Sequence, residues 1–322
     1  MVVKKFNYVK FSIFIVIVIT IITLITIGIV SLVKHVKYTK TNEYKLLQIG
    51  YSLDETEVIE KKLNSSQIDK LLNSEYDGEL INYINEKYFI YSNYDKYLEY
   101  KKKNKSYDYS KVISIINTEA NVDWLDNEKE TDTSKNELML VNRIYGLNKE
   151  YVPDDIASVP TQYAYSGKKL RQVVIDAIIM LCDDAKENGF TFVVSDAYRT
   201  YKEQEKLYNS YAKSNGKSEA DKIVARPGHS EYETGLSFNL VPYNKYYKTP
   251  KLSEEYLWLK DNAYKYGFIF RFEADKSELT GFKEDVWRLR YVGEEAATTM
   301  YYEKICYEEY YAYYVEGDKN EW

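Results

Sequence analysis

Residues 254–272, EEYLWLKDNAYKYGFIFRF, change structural period part-way along. The first part reads as a helix over 254–266. Gly267 stands where such a helix closes, because glycine enters the left-handed backbone region without a Cβ clash. Phe268 to Phe272 then reads as a strand of aromatic and β-branched residues. The same punctuation recurs upstream. Leu170, Val174, Ala177, Ile178, Leu181 and Cys182 form a helical stripe within 170–188, closed by Gly189. A strand at 191–194, a helix at 201–214, a loop around Arg226-Pro227-Gly228 and a strand at 236–241 follow. Downstream, 286–292 reads as a strand and 294–314 as one Tyr-rich helix. Helices and strands mix without βαβ regularity, which points to the α+β class.

The N-terminal part differs. FSIFIVIVITIITLITIGIVSLV, residues 11–33, carries no charge. About 20 apolar residues span the hydrocarbon core of a bilayer, so this is a transmembrane helix. A cleaved signal has a shorter apolar core and a small-residue cleavage site, and no such site follows here. Lys4, Lys5 and Lys10 precede the span and Lys34, Lys37 and Lys40 follow it, so charge alone does not orient it. Beyond it, Ser52-Leu53-Asp54-Glu55 opens one short amphipathic helix and Ser65-Ser66-Gln67-Ile68-Asp69 caps a second. Residues 127–137, NEKETDTSKNE, read as a loop. No internal repeat of convincing period is present.

Apolar residues make up 45% of the 322, enough for a sizeable core. A net charge of −6, with both signs interspersed, argues against a nucleic-acid partner, which calls for a concentrated basic face. Only two histidines, His35 and His229, and two cysteines, Cys182 and Cys306, are present. A metal site of several imidazoles or thiolates in one domain is therefore excluded. The simplest reading of each cysteine is a small buried apolar residue; a disulfide between them stays open.

Five landmarks occur in order: LVNRIYGLNKEYVPDDI (140–156), SDAYRTYKEQ (195–204), ARPGHSEYETGLSFNL (225–240), LWLKDNAYKYGFIFRF (257–272) and TGFKEDVWRLRYVGEEAA (280–297). On these the chain resembles the VanY-type D-alanyl-D-alanine carboxypeptidases, zinc enzymes that trim the terminal D-Ala of peptidoglycan stem peptides. The resemblance implies an LAS-type domain, a small antiparallel sheet with flanking helices. It also implies work outside the membrane, hence a single-pass cell-membrane protein with its N-terminus inside and its C-terminal domain outside. The expected organisation is a cytoplasmic N-terminus (1–10), the span (11–33), a polar linker (34–48), a mainly helical accessory region (49–139), the carboxypeptidase-like domain (140–316) and a tail (317–322).

The family's metal motif, S-x-H-x-x-G-x-A-x-D, stands here as Ser230 to Asn239, with Tyr232 at the His ligand position and Asn239 at the Asp ligand position. Its E-P-W-H motif stands as Asp285-Val286-Trp287-Arg288, with Asp285 at the catalytic base and Arg288 at the third ligand. A phenol, a carboxamide and a guanidinium make a poor set for a dication, so no metal cofactor is expected where the family holds zinc. Zinc against the family's Asp and Glu sums to zero charge, and Arg288 against Asp285 does so too. The expectation is that Arg288 pairs with Asp285 in the metal's place. On the substrate side the resemblance assigns Arg199 to a peptide carboxylate, with Gln204 beside it, and Ser230 and Trp287 are retained. Trp287, Arg290 and Gly293 also read simply as fold-maintaining residues.

The resulting expectation is a non-catalytic homologue binding a stem peptide or an extracytoplasmic protein. Two alternatives stand beside it. One is an active peptidoglycan carboxypeptidase with a rearranged site that uses Glu231, Glu233 or Glu284. The other is an assembly protein with a silent cleft, its contact surface drawn from residues 50–140 and the Tyr-rich C-terminal helix.

Overall fold

The structure, a computed structural model, describes residues 7–122 and 128–316. The expected tail 317–322, most of the expected cytoplasmic N-terminus and the first residue of the polar stretch 127–137 lie outside the described residues. The chain forms two compact units, Met1–Tyr94 and Asp95–Trp322.

In the first unit, Tyr8–Tyr38 is one helix (α1), long and apolar enough to cross a membrane. The hydroxyls of Thr20, Thr23 and Thr26 each donate to the carbonyl one turn back, at 2.8 Å, so these polar groups add no unmet donor to the apolar surface. The polar stretch 34–48 is mostly helical. α1 runs on to Tyr38, and Asn42–Ile49 forms a further helix that buries Leu46. The helix Leu53–Lys62 opens on a reciprocal Ser52–Glu55 capping box. The next starts one residue earlier than the sequence suggests: Asn64, not Ser65, is its cap, in exchange with Gln67. Leu46, Tyr51, Ile59, Leu80, Tyr83 and Ile84 are buried in this unit.

The second unit is a mixed helix and sheet domain. Its four-stranded sheet comprises β1 (Phe192–Asp196), β2 (Ser237–Pro242), β3 (Phe268–Phe272) and β4 (Asp285–Tyr291), in the order β1-β2-β4-β3 with every pair antiparallel. Strand alternation divides its two faces. Phe238, Leu240, Phe268, Phe270, Trp287 and Leu289 belong to the main core, where α2 (Gln172–Glu187) supplies Val174, Ile178, Leu181 and Cys182. Asn239, Ile269, Arg271, Arg288 and Arg290 alternate with them on the strands and so point to the other face. Gly267 has φ +80°, and a Cβ there would come within 2.7 Å of the Tyr291 ring, so the turn into β3 admits only glycine.

The far face holds a closed set of buried charges. Arg271 Nε donates to Glu231 Oε1 at 2.7 Å, and its two terminal nitrogens donate to Glu308 at 2.9 and 2.5 Å. Arg290 Nη1 lies 3.2 Å from Glu231 Oε1, while its Nη2 donates to the carbonyls of Glu137 and Met139. Two guanidinium groups balance two carboxylates.

This network explains a departure from the sequence reading. The C-terminal segment is not one helix over 294–314. Glu294–Glu303 ends at Lys304, which takes a left-handed conformation with φ 56°, and a short helix Tyr307–Tyr310 and a wider turn Tyr311–Val315 follow. The break swings Glu308 onto Arg271 and Glu309 onto Lys276 and Ser114. The polar stretch 127–137 is also more ordered than a loop: Lys129–Glu130 pairs in parallel with Tyr145–Gly146, and Thr133–Leu138 forms 3-10 turns. Cys182 and Cys306 are both buried free thiols, which answers the disulfide question in the negative.

Removing one charge from a buried, balanced set strands its partners. Arg271→Met should therefore lower the unfolding free energy by about 3–5 kcal/mol, read from urea denaturation. Lys103→Met, at an exposed ion pair with Glu99, should change it by less than about 1 kcal/mol.

Candidate functional site

The site is assembled on one cross-strand row. Asp196 on β1 lies opposite Asn239 on β2, and Asn239 lies opposite Arg288 on β4. A register shift in β3 brings Phe272 opposite Asp285. Tyr232 arrives from the turn before β2. Gly235, at φ +67°, makes that turn, and a Cβ there would meet the Ile156 side chain at 2.6 Å. Arg199 precedes α3 (Tyr201–Asn215), whose Thr200–Glu203 capping box fixes the entry angle, and the Arg199 backbone N–H donates to the Tyr232 carbonyl at 3.2 Å.

Tyr232, Asn239, Asp285 and Arg288 form one interlocked network. The Tyr232 hydroxyl donates to Asn239 Oδ1 at 2.8 Å, and Arg288 Nε donates to the same oxygen at 2.6 Å. Arg288 Nη2 donates to Asp285 Oδ2 at 3.0 Å, and Asn239 Nδ2 reaches Asp285 Oδ1 at 3.4 Å. The Arg288 guanidinium lies 3.9 Å from the centre of the Tyr232 ring, and that of Arg199 lies 4.1 Å from it. Burial pushes the Tyr232 phenol well above its ordinary pKa, against the pull of Arg288, so its oxygen is a neutral donor.

Beside this network is a cavity of about 180 Å³. Val141, Leu207, Ile223 and Phe282 supply apolar wall, and Arg199, Gln204, Ser230, Tyr232, Asp285 and Arg288 supply polar wall. Arg199 pairs with Asp196 and donates through Nη1 to Gln204 at 3.2 Å. Gln204 is itself fixed by donating to the Ala225 carbonyl at 2.7 Å. The structure thus brings Arg199, Gln204, Ser230, Tyr232, Asp285 and Arg288 to one cavity, with Asn239 directly behind. It does not bring Trp287 there: its ring meets Tyr256 at 5.9 Å on the core face of the sheet. His229 holds the Asn142 carbonyl through Nδ1 at 2.8 Å.

The sequence model of the VanY family, D-alanyl-D-alanine carboxypeptidase, matches residues 167–294. A D-alanyl-D-alanine carboxypeptidase of Enterococcus faecalis (strain ATCC 700802 / V583) is 31% identical over 192 residues, spanning 57% of this chain and 68% of the enterococcal protein. The chain belongs to the VanY family. A solved structure of the LdcB LD-carboxypeptidase, reported with the basis of its peptidoglycan recognition, is also similar. Its TM-score is 0.54 at 30% identity, over 58% of this chain and 91% of that one.

Against the zinc that VanY resemblance implies, the residues present do not fit. Asn239 Oδ1 already accepts from two donors, and Tyr232 Oη presents a proton rather than a charge. Arg288 places a cation at the third position. The carboxylates named for a rearranged site are engaged elsewhere. Glu231 faces Arg271 and Arg290, Glu284 pairs with Lys251, and Glu233 accepts from the Gly228 and Ser230 backbone N–H groups. Among the described residues no group of three or more His, Cys, Asp or Glu is placed to hold a metal.

Sequence reasoning missed Asp196, although it stands inside the quoted SDAYRT, because a partner for Arg199 was sought only in a ligand. It also missed Arg271 and its partners. The signal for these was present, since FIFRF and WRLRY both insert arginine into a strand of large apolar residues.

Glu233 offers a titration test. Burial pushes its carboxyl up to about 7 from 4.5, against the two backbone N–H groups that favour the ionised form. A carboxyl raised in the native state binds more protons there than in the unfolded chain. Its contribution should make stability fall as pH rises from about 4.5 to about 7, then level off. Comparing thermal midpoints across that interval, Glu233→Gln should remove this decline.

Proposed function

We propose that this chain is a membrane-anchored VanY-family protein that binds peptidoglycan stem peptides at the cell surface without cleaving them. The observation that carries the reading is the interlocked Tyr232–Asn239–Asp285–Arg288 network at the three metal-ligand positions and the base position. A peptidase of this kind needs a polarised carbonyl and an activated water, which a bound metal supplies. Here the Asn239 and Asp285 oxygens are held by donors, Tyr232 spends its proton on Asn239, and Asp285 is committed to Arg288. The binding half supports the same reading: Arg199 and Gln204 line a cavity of peptide-compatible polarity, and the LdcB relative is described for peptidoglycan recognition. Arginine is suited to a peptide carboxylate by charge and by its planar fork. The apolar α1 supports anchorage, and the proposed orientation, N-terminus inside and C-terminal domain outside, follows from the extracellular location of peptidoglycan.

Elemental analysis of the purified chain should find zinc well below stoichiometric, and incubation with a pentapeptide stem should release no D-Ala above a blank. Calorimetry should detect peptide binding, and Arg199→Ala should weaken it roughly tenfold or more. Stoichiometric zinc with chelator-sensitive turnover would establish the active alternative. Intact binding in Arg199→Ala would favour a silent cleft. The triple change Tyr232→His, Asn239→Asp and Arg288→His should recover zinc uptake, with little turnover until Asp285→Glu is added. Protease treatment of intact cells should remove the C-terminal domain if it faces outward.

A further inference from the structure

We infer that Arg288 turns the metal position into a subsite for an anionic oxygen, so that the ligand is a peptide whose free carboxylate, not an internal amide, lies there. This rests on the stem-peptide reading above and names which stem peptide the site takes: one already shortened by its last residue.

The argument begins with what the guanidinium has left to give. Nε is committed to Asn239 and one terminal nitrogen to Asp285, at 2.6 and 3.0 Å. Nη1 has no hydrogen-bond partner among the described residues, and Arg288 lines the cavity. Its side chain is 16% exposed, so it is held in place yet reachable. The Tyr232 ring beneath it and the two anchoring bonds fix the fork, which removes the rotamer freedom a surface arginine would lose on binding.

A dication polarises a neutral carbonyl strongly. A guanidinium already paired with Asp285 offers charge-assisted hydrogen bonds, which favour an anionic acceptor over a neutral one. A former cleavage position lined by Arg288 therefore discriminates for acid over amide. Arg199 adds a second guanidinium to the same wall. Two of its nitrogens are taken by Asp196 and Gln204, so the outer carboxylate position is partly satisfied within the protein. Arg288 is engaged to the same extent, so the wall offers two anchored guanidinium groups rather than one. Of the other charges on the wall, Glu231 is turned to Arg271 and Arg290, Lys283 pairs with Glu219 at 2.6 Å, and the Asp285 carboxylate is neutralised by Arg288 itself.

The test uses the full chain in detergent or nanodiscs and three peptides, followed by calorimetry. They are a stem peptide ending in D-Ala-D-Ala, the same peptide lacking its last residue, and that shortened peptide as its C-terminal amide. The shortened acid should bind tightest, and amidation should weaken it about tenfold or more. Arg288→Gln should erase the acid-over-amide preference, and Arg288→Lys, which keeps the charge but not the fork, should retain part of it. Equal affinity for acid and amide overturns the inference, as does a preference that survives Arg288→Gln in a variant with unchanged circular dichroism. If Arg288→Gln does not fold, the acid and amide comparison in the unmodified chain decides. Tight binding of the longer peptide with indifference to Arg288 overturns this inference while leaving the stem-peptide reading intact. Binding of no peptide at all overturns both.

Discussion

The far face of the sheet exists because four buried charges cancel. Arg271 and Arg290 project from neighbouring strands on a face that hydrophobic residues would otherwise fill, and Glu231 and Glu308 meet them from the turn before β2 and from the C-terminal segment. Each charge taken from water carries a desolvation cost of several kcal/mol, so each is tolerable only with its partner in place. The arrangement leaves little slack. Glu231 is the residue before Tyr232, so the turn that delivers the site's phenol is pinned by an ion pair on its other side. Arg290 is two residues beyond Arg288 on the same strand face, and its hold on the Glu137 and Met139 carbonyls fixes the strand that carries the site.

Much of this fold was legible in the sequence for a physical reason. Where an element has one buried face, its apolar residues must repeat at the element's own period. The stripe from Val174 to Cys182 therefore reported real burial, whereas Leu170, expected on the same helix, lies on the short strand Lys169–Arg171, and FIFRF is covered on both faces. Gly189 and Gly267 marked helix ends because no other residue adopts those backbone angles without strain. What stayed hidden was set by partners distant in sequence. The break at Lys304 has no local signature; it accompanies the pairing of Glu308 with Arg271, a residue distant in sequence. The Asn64 cap was missed in favour of Ser65 because both residue types cap well, and only the backbone geometry separates them.

The site was legible in a different sense. Its residue types and order carried the resemblance, and the pairing of Arg288 with Asp285 could be expected from charge balance alone. The role of Asn239 could not. Read singly, a carboxamide in place of a carboxylate looks like a simple loss. In the structure it is the hub, accepting from Tyr232 and Arg288 while donating to Asp285. An amide has both acceptor and donor ends, and a carboxylate has only the first. Trp287 shows the opposite case. It neighbours Arg288 in sequence, yet strand alternation sends it to the core.

The position of Glu308 has a consequence for how the domain comes into being. A chain made from its N-terminus exposes Glu231 and Arg271 long before residue 308 has emerged. Until then the two arginines face one carboxylate, and closing the sheet would trap an uncompensated cation. Full neutralisation of this face therefore requires residue 308. Charge balance on this face is thus a property of the whole domain rather than of the sheet alone, because it depends on a short helix far downstream of the strands it neutralises.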